Sequence, residues 1–116
     1  MNYRNLGNSG LKISEIGLGG NTFGWTIDET ASIAVVHHAL EQGINYIDTA
    51  DMYDRGKSEQ FIGKAIRQRR HEVILASKFG RPMGDGHNQR GGSRYYVMQA
   101  IDASLKRLGT DYVDLY

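Results

Sequence analysis

Apolar positions along the chain fall into short runs that alternate with helical stripes. Two brief runs, residues 3–6 and 11–13, flank Asn8-Ser9-Gly10. Turn residues between two extended runs predict a small hairpin. Residues 16–18 predict a short strand that opens into a glycine-rich stretch, 17–24. A helix follows, because Thr26-Ile27-Asp28-Glu29 fits a capping box, with Asp28 as the alternative cap. Ile33, Val36 and Leu40 share one helical face, and Gly43 stops the helix. Residues 44–47 read as a strand. Over 58–70 the spacing of Phe61, Ile62, Ala65 and Ile66 predicts a second helix. Its last turn is cationic (Arg67, Arg69, Arg70), which suits the helix dipole and reads as a solvated helix end rather than a phosphate clamp. Residues 73–76 form an uninterrupted apolar strand. The segment 79–92 is a long loop holding five glycines and the only proline, Pro82. A third helix starts at Ser93, carries Val97, Ile101, Leu105 and Leu108 on one face, and ends at Gly109. Residues 112–116 open one more strand.

The order is therefore a hairpin followed by β-α-β-α-β-α-β. Strands alternating with amphipathic helices imply right-handed crossovers and a parallel sheet. Continuous apolar strand runs predict a sheet covered on both faces. Four parallel strands and three helices in 116 residues leave two architectures. One is a small open α/β domain. The other is under half of an eight-stranded barrel, for which about 250 residues is usual.

Composition narrows the function classes. Lys plus Arg is 14 against 13 for Asp plus Glu, a formal charge of +1. That balance offers no field for a nucleic-acid backbone or an anionic membrane. The absence of cysteine excludes disulfide frameworks, zinc-thiolate sites, Fe–S clusters and cysteine nucleophiles. Nothing approaches the ~18 consecutive apolar residues of a membrane helix. The first twenty residues lack the apolar core of a signal peptide, so a soluble, cytoplasmic protein is expected. Fifteen glycines beside one proline point to tight turns and close backbone approaches.

Charged residues at the carboxyl ends of parallel strands mark where α/β proteins place their chemistry. Asp48 ends the strand at 44–47, Lys78 follows the strand at 73–76, and Tyr53 lies in the loop leaving Asp48. A free phenol, with a pKa of about 10, is a poor acid at neutral pH. A neighbouring ammonium stabilises the phenolate, and an Asp paired with that ammonium keeps it charged and aimed. Such a trio can protonate a carbonyl oxygen while hydride reaches carbon. Taken singly, each residue has a plainer reading: the Asp as a loop cap, the Tyr as packing, the Lys as a solvated strand end.

Other motifs carry less. Gly17-x-Gly19-x-x-Thr22 lacks the third glycine of a dinucleotide fingerprint, and Gly56-Lys57-Ser58 lacks the early glycine of a phosphate loop. His37 and His38 are adjacent and lack ligand spacing; with His71 and His87 they read as surface or helix-end residues. Tyr95 and Tyr96 read as packing.

Six segments, in order and spacing, resemble the aldo-keto reductase family over essentially the whole chain. They are Leu6-Gly7-Asn8-Ser9-Gly10-Leu11-Lys12-Ile13-Ser14; Ile16-Gly17-Leu18-Gly19-Gly20 with Thr22-Phe23-Gly24; and Gly43-Ile44-Asn45-Tyr46-Ile47-Asp48-Thr49-Ala50-Asp51-Met52-Tyr53. Gly56-Lys57-Ser58-Glu59, Ala76-Ser77-Lys78-Phe79-Gly80 and the run from Ser104 through Leu108-Gly109-Thr110-Asp111-Tyr112-Val113-Asp114-Leu115-Tyr116 complete the set. The resemblance implies a (β/α)₈ barrel plugged by the N-terminal hairpin, reducing aldehydes or ketones to alcohols with NADPH and without metal. It implies an Asp, Tyr, Lys and His catalytic set, of which Asp48, Tyr53 and Lys78 match the first three. Gly20, Asn21 and Asp48 would lie beside the nicotinamide, and the loop at 79–92, with Arg81, would border the substrate.

The family's catalytic His follows the Asp-Leu-Tyr signature that here falls at 114–116. The resemblance therefore implies an N-terminal part of such an enzyme, with the hairpin at 1–14 and three βα units plus a fourth strand at 15–116. It would be inactive alone, with open sheet edges that invite self-association. The alternative is a non-catalytic partial barrel acting as a binding or assembly module. The trio discriminates, because a scaffold has no reason to hold Asp48, Tyr53 and Lys78 together.

Overall fold

In the computed structural model, which describes residues 1–116, the first two runs pair as an antiparallel hairpin. Strand β1 (Tyr3–Asn5) places Tyr3 opposite Ser14 and Asn5 opposite Lys12 of β2 (Lys12–Ser14). Side chains tie the hairpin to the rest of the chain. Asn45 accepts from Ser14 N at 2.7 Å and donates to Lys12 O at 3.2 Å, and Tyr3 OH donates to Gly43 O at 2.8 Å.

A parallel sheet follows in the order β3 (Leu18–Gly19), β4 (Tyr46–Asp48), β5 (Ile74–Ala76). Leu18 pairs with Ile47, and Ile47 with Leu75. Helices α1 (Glu29–Glu41), α2 (Lys57–Ile66) and α3 (Arg94–Leu108) accompany these strands. The caps are local. Asp28, rather than Thr26, caps α1 by accepting from Ala31 N at 2.9 Å, and Ser93 caps α3 by accepting from Tyr96 N at 3.1 Å.

Strand pleating sorts the side chains. Ile47 and Leu75 are fully buried, in one cluster with Val36 and Leu40 of α1, Ile62 and Ile66 of α2, and Leu108 of α3. All three helices thus share one face of the sheet, and each such buried aliphatic side chain contributes roughly 1.5–3 kcal/mol. Tyr46 and Asp48 point to the other face and are only half-buried, while Lys78 is exposed. The expectation of a sheet covered on both faces is therefore corrected: in this chain helices cover one.

Three further expectations change. α2 ends at Ile66, not near Arg70, and a 3₁₀ turn, Arg70–Glu72, follows. Arg70 is no solvated end. It donates to Val73 O at 2.7 Å, Tyr112 O at 3.0 Å and Asp114 Oδ2 at 2.8 Å, and lies over the Tyr112 ring. The buried stripe of α3 is Tyr96, Ala100, Ser104 and Leu108, while Val97, Ile101 and Leu105 are half-buried. Small residues win that face because α2 and α3 pack closely: a Cβ at Gly63 would run into the Leu108 carbonyl. Finally, the fourth strand is a single parallel bridge, Ala76 to Leu115. There the Asp114 carboxylate accepts from Leu75 N at 2.8 Å, so a side chain takes a ladder position.

No helix is long and apolar enough to cross a membrane.

Candidate active site

The three parallel strands all deliver their carboxyl ends to one side. Asp48 is the last residue of β4, and Lys78 lies two residues beyond β5. The loop between β4 and α2 is pinned across them: Thr49 N donates to Ala76 O at 2.9 Å and Asp51 N to Lys78 O at 3.2 Å. Tyr53 then opens a 3₁₀ turn, Tyr53–Gly56, that leads directly into α2. Inside that turn Asp54 and Arg55 are left-handed, with φ of 44° and 52°. Each such non-glycine residue costs about 1–2 kcal/mol, which the surrounding contacts sustain.

Side chains converge accordingly. Lys78 Nζ donates to Asp48 Oδ1, to Thr49 O at 3.0 Å and to Tyr53 OH at 3.3 Å. Burial pulls the Lys78 amine down, but its hydrogen bonds to Asp48 and Tyr53 and the Asp48 charge outweigh that, and its pKa lies above the ordinary lysine value. An ammonium at neutral pH is thereby held against a phenol. A groove of about 630 Å³, lined by Met52, Tyr53, Lys78, Phe79, Arg81 and Pro82 among others, opens at Tyr53 and Lys78, and Asp48 does not line it.

Gly20 and Asn21 follow β3 beside Asp48. Gly20 is internally committed: its N–H donates to Asp48 O at 2.8 Å and its carbonyl accepts from Ser58 Oγ at 2.7 Å. A Cβ there would meet Ser58 Oγ at 2.7 Å and Ile62 Cδ1 at 2.9 Å, so the glycine is needed for packing. Asn21 is exposed. Among the histidines, His37 contacts Ala65 O at 3.0 Å and His38 lies 4.0 Å from Glu41, both away from the trio. Tyr96 is buried, whereas Tyr95 is exposed.

Sequence reasoning passed over Tyr46. Two residues before Asp48, it shares the open face with the trio, and its phenol is raised by burial and by Asp48, with Lys78 opposing. The period-two relation to Asp48 was the available signal. It also passed over Ser58 and Glu59, which read as ordinary first-turn residues of α2 yet are fully buried.

With this geometry in view, the likenesses are specific. The profile of the aldo/keto reductase family matches residues 15–116. The chain is 46% identical over 118 residues to the uncharacterized oxidoreductase YqkF of Bacillus subtilis (strain 168), spanning 100% of this chain and 38% of that protein. It is 41% identical over 122 residues to the aldo-keto reductase YhdN of the same organism, covering 37% of it. Among solved structures, the holo form of aldo-keto reductase AKR11C1 from Bacillus halodurans superposes with a TM-score of 0.90 at 45% identity, over 100% of this chain and 39% of that one.

Proposed function

This chain belongs to the aldo/keto reductase family, and from that premise we propose that it is the N-terminal part of an NADPH-dependent carbonyl reductase built as a (β/α)₈ barrel. Its span of 38% of one relative's length supports a part of a larger enzyme. So does the placing of all three helices on one face of the sheet, as in a barrel and unlike a doubly wound sheet. The hairpin β1–β2 would close the opposite end of that barrel.

The observation that carries the reading is the joint contact of Lys78 with Asp48 and Tyr53 at the strand ends. Tyr53 is the general acid, donating its phenolic proton to the carbonyl oxygen of an aldehyde or ketone. Lys78 stabilises the phenolate left behind. Asp48 and Thr49 O hold Lys78 in place, and Asp48 keeps it charged. General acid catalysis of this kind contributes about 10²- to 10⁴-fold.

The donor set fits the reactive end of a nicotinamide cofactor. The exposed Asn21 amide offers both a donor and an acceptor beside Asp48, while the backbone groups of buried Gly20 are taken up within the fold. When bound, the reduced nicotinamide supplies the hydride. Its phosphates and adenine would be held outside this chain, so the 116-residue chain alone is expected to show little turnover. Alone, it would also self-associate through its unpaired sheet edges, as sedimentation at several concentrations would reveal.

The test is carbonyl-dependent NADPH oxidation by the native protein, at the length its intact mass gives. Activity lost in Tyr53→Phe supports the reading. Undiminished activity in that variant overturns it, and robust turnover by the isolated 116 residues overturns the expectation for the chain alone.

A further inference from the structure

The first turn of α2 reaches the ends of all three parallel strands. Ser58 and Glu59 are its second and third residues, and both are fully buried. Ser58 Oγ donates to Gly20 O at 2.7 Å, after β3, and stands 2.8 Å from Thr49 Oγ1, after β4. Glu59 Oε1 accepts from Ser77 Oγ at 2.6 Å, after β5. Its other oxygen accepts from Arg107 Nε of α3 at 2.6 Å, and Arg107 Nη2 reaches Ser104 Oγ at 3.2 Å. Gly20, Thr49 and Ser77 are the immediate neighbours of Asn21, Asp48 and Lys78.

We propose that Glu59 is a positioning residue for the candidate site: acting through Ser77 and anchored by Arg107, it fixes the direction in which Lys78 leaves β5. The proposal rests on the carbonyl-reductase reading for its catalytic consequence, but not for its geometry. A fully buried carboxylate is costly unless paired and hydrogen-bonded, and apolar side chains fill such a space at least as well. Packing alone therefore does not explain it. The pleat supplies the link, because successive side chains point to opposite faces. Ser77 turned toward the helices sends Lys78 toward Asp48 and Tyr53. Backbone bonds also hold this strand end, Thr49 N to Ala76 O at 2.9 Å, Ser77 N to Leu115 O at 3.1 Å and Asp51 N to Lys78 O at 3.2 Å, and the Ser77 side chain adds its own tie to Glu59. The first turn of α2 also brings the positive end of a helix dipole to the carboxylate.

The groups facing Lys78 are Asp48 and Tyr46 from β4 and Tyr53 from the turn. Those facing Glu59 are Arg107 from α3, Asp51 from the loop, and Tyr116. None of the second set contacts Lys78 Nζ, and Ser77→Ala leaves every charge in place, so in that variant a displaced Lys78 titration reports a moved ammonium.

Two variants of the native protein test this. Ser77→Ala removes the arm to Lys78, and Glu59→Gln removes the charge that Arg107 holds. The first readout is the pH dependence of reductive methylation at Lys78, followed by mass spectrometry. The expected result is a titration displaced to lower pH in Ser77→Ala, with severalfold faster labelling near pH 9. The second readout is kinetic: kcat falls by about 10- to 100-fold, as for small misplacements of a catalytic group, while KM for the carbonyl is retained. Ser77→Thr, which keeps the hydroxyl, should restore both. A Ser77→Ala protein with lowered thermal stability but unchanged Lys78 labelling and kcat overturns the proposal and leaves Glu59 a packing residue. If the native protein reduces no carbonyl, the function reading fails, and labelling alone decides the positioning claim. If Glu59→Gln does not fold, Ser77→Ala decides it.

Discussion

Lys78 and Tyr53 lie 25 residues apart in the chain, yet the lysine Nζ stands 3.3 Å from the phenolic oxygen. The same ammonium lies 5.1 Å from the centre of the tyrosine ring, so it approaches the hydroxyl end rather than the ring face. That geometry puts a positive charge within hydrogen-bond reach of the phenolic oxygen. Tyr53→Phe keeps the ring and removes the hydroxyl, and with it both the transferable proton and the bond from Lys78. In the native protein it should lower kcat for carbonyl reduction by about 10²- to 10⁴-fold. Cofactor affinity, measured by quenching of protein fluorescence, should be nearly unchanged, since in the proposed mechanism the hydroxyl serves the substrate.

The raised Lys78 pKa sets a stability window. Burial opposes the charge, while the bonds to Asp48 and Tyr53 and the Asp48 charge favour it and prevail. A lysine raised in the folded state binds its proton more tightly there than in the unfolded chain. Its contribution is complete below the ordinary lysine pKa of 10.5 and is lost as pH rises through the higher folded value. Thermal unfolding of the wild-type protein should therefore fall more steeply above that pH than unfolding of Lys78→Met. Parallel curves for the two proteins above pH 10.5 would contradict the assignment.

The strand ends and their charged residues were legible because short apolar runs mark where strands stop. Asp48 follows such a run directly, and Lys78 follows one after Ser77. Tyr53 was legible by its nearness to Asp48 and by the family resemblance. Partnerships between distant residues were not legible. Glu59 meets Arg107 across 48 residues, and Arg70 meets Asp114 across 44, with no spacing rule to announce either. The face of α3 was misjudged for a different reason. Periodicity favours the larger apolar residues Val97, Ile101 and Leu105, whereas close helix approach selects Ala100 and Ser104.

That close approach can be tested at Gly63. A Cβ at this position would collide with the backbone of Leu108, which cannot rotate away as a side chain can. Gly63→Ala gains helix propensity of about 1 kcal/mol in α2. Overpacking of this kind costs typically about 1–3 kcal/mol, so a net loss is expected. Chemical denaturation should show a lower midpoint with an unchanged slope. A gain in stability would show that α2 and α3 have room for a methyl group between them.

Arg55 offers the opposite case. It is exposed, with φ of 52°, in the turn that follows Tyr53. Replacement by glycine removes a left-handed cost of about 1–2 kcal/mol. It adds the entropic cost of a glycine, roughly 0.5–1 kcal/mol. Arg55→Gly should thus stabilise the fold by up to about 1 kcal/mol, read from the shift in unfolding midpoint.

Asp51 bears the other sign of linkage. It is 2% exposed, its Oδ2 has no hydrogen-bond partner, and Glu59 is a near neighbour. Burial, then the Glu59 charge, raise its pKa above 3.8, while a backbone bond from Met52 and the Arg107 charge oppose them. The folded state therefore binds this proton more tightly than the unfolded chain does. Stability from this group is lost as pH climbs from 3.8 through the raised value, because an ionised carboxylate must then stay buried. Asp51→Asn keeps the shape without the charge. At neutral pH it should be more stable than the wild type, by on the order of 1 kcal/mol, the cost of an unsatisfied buried group. That advantage should vanish below about pH 4, where the wild-type carboxyl is protonated in both states. Unfolding midpoints of the two proteins from acid to neutral pH decide the matter, since an advantage independent of pH would mean that the carboxylate's charge is not what burial penalises.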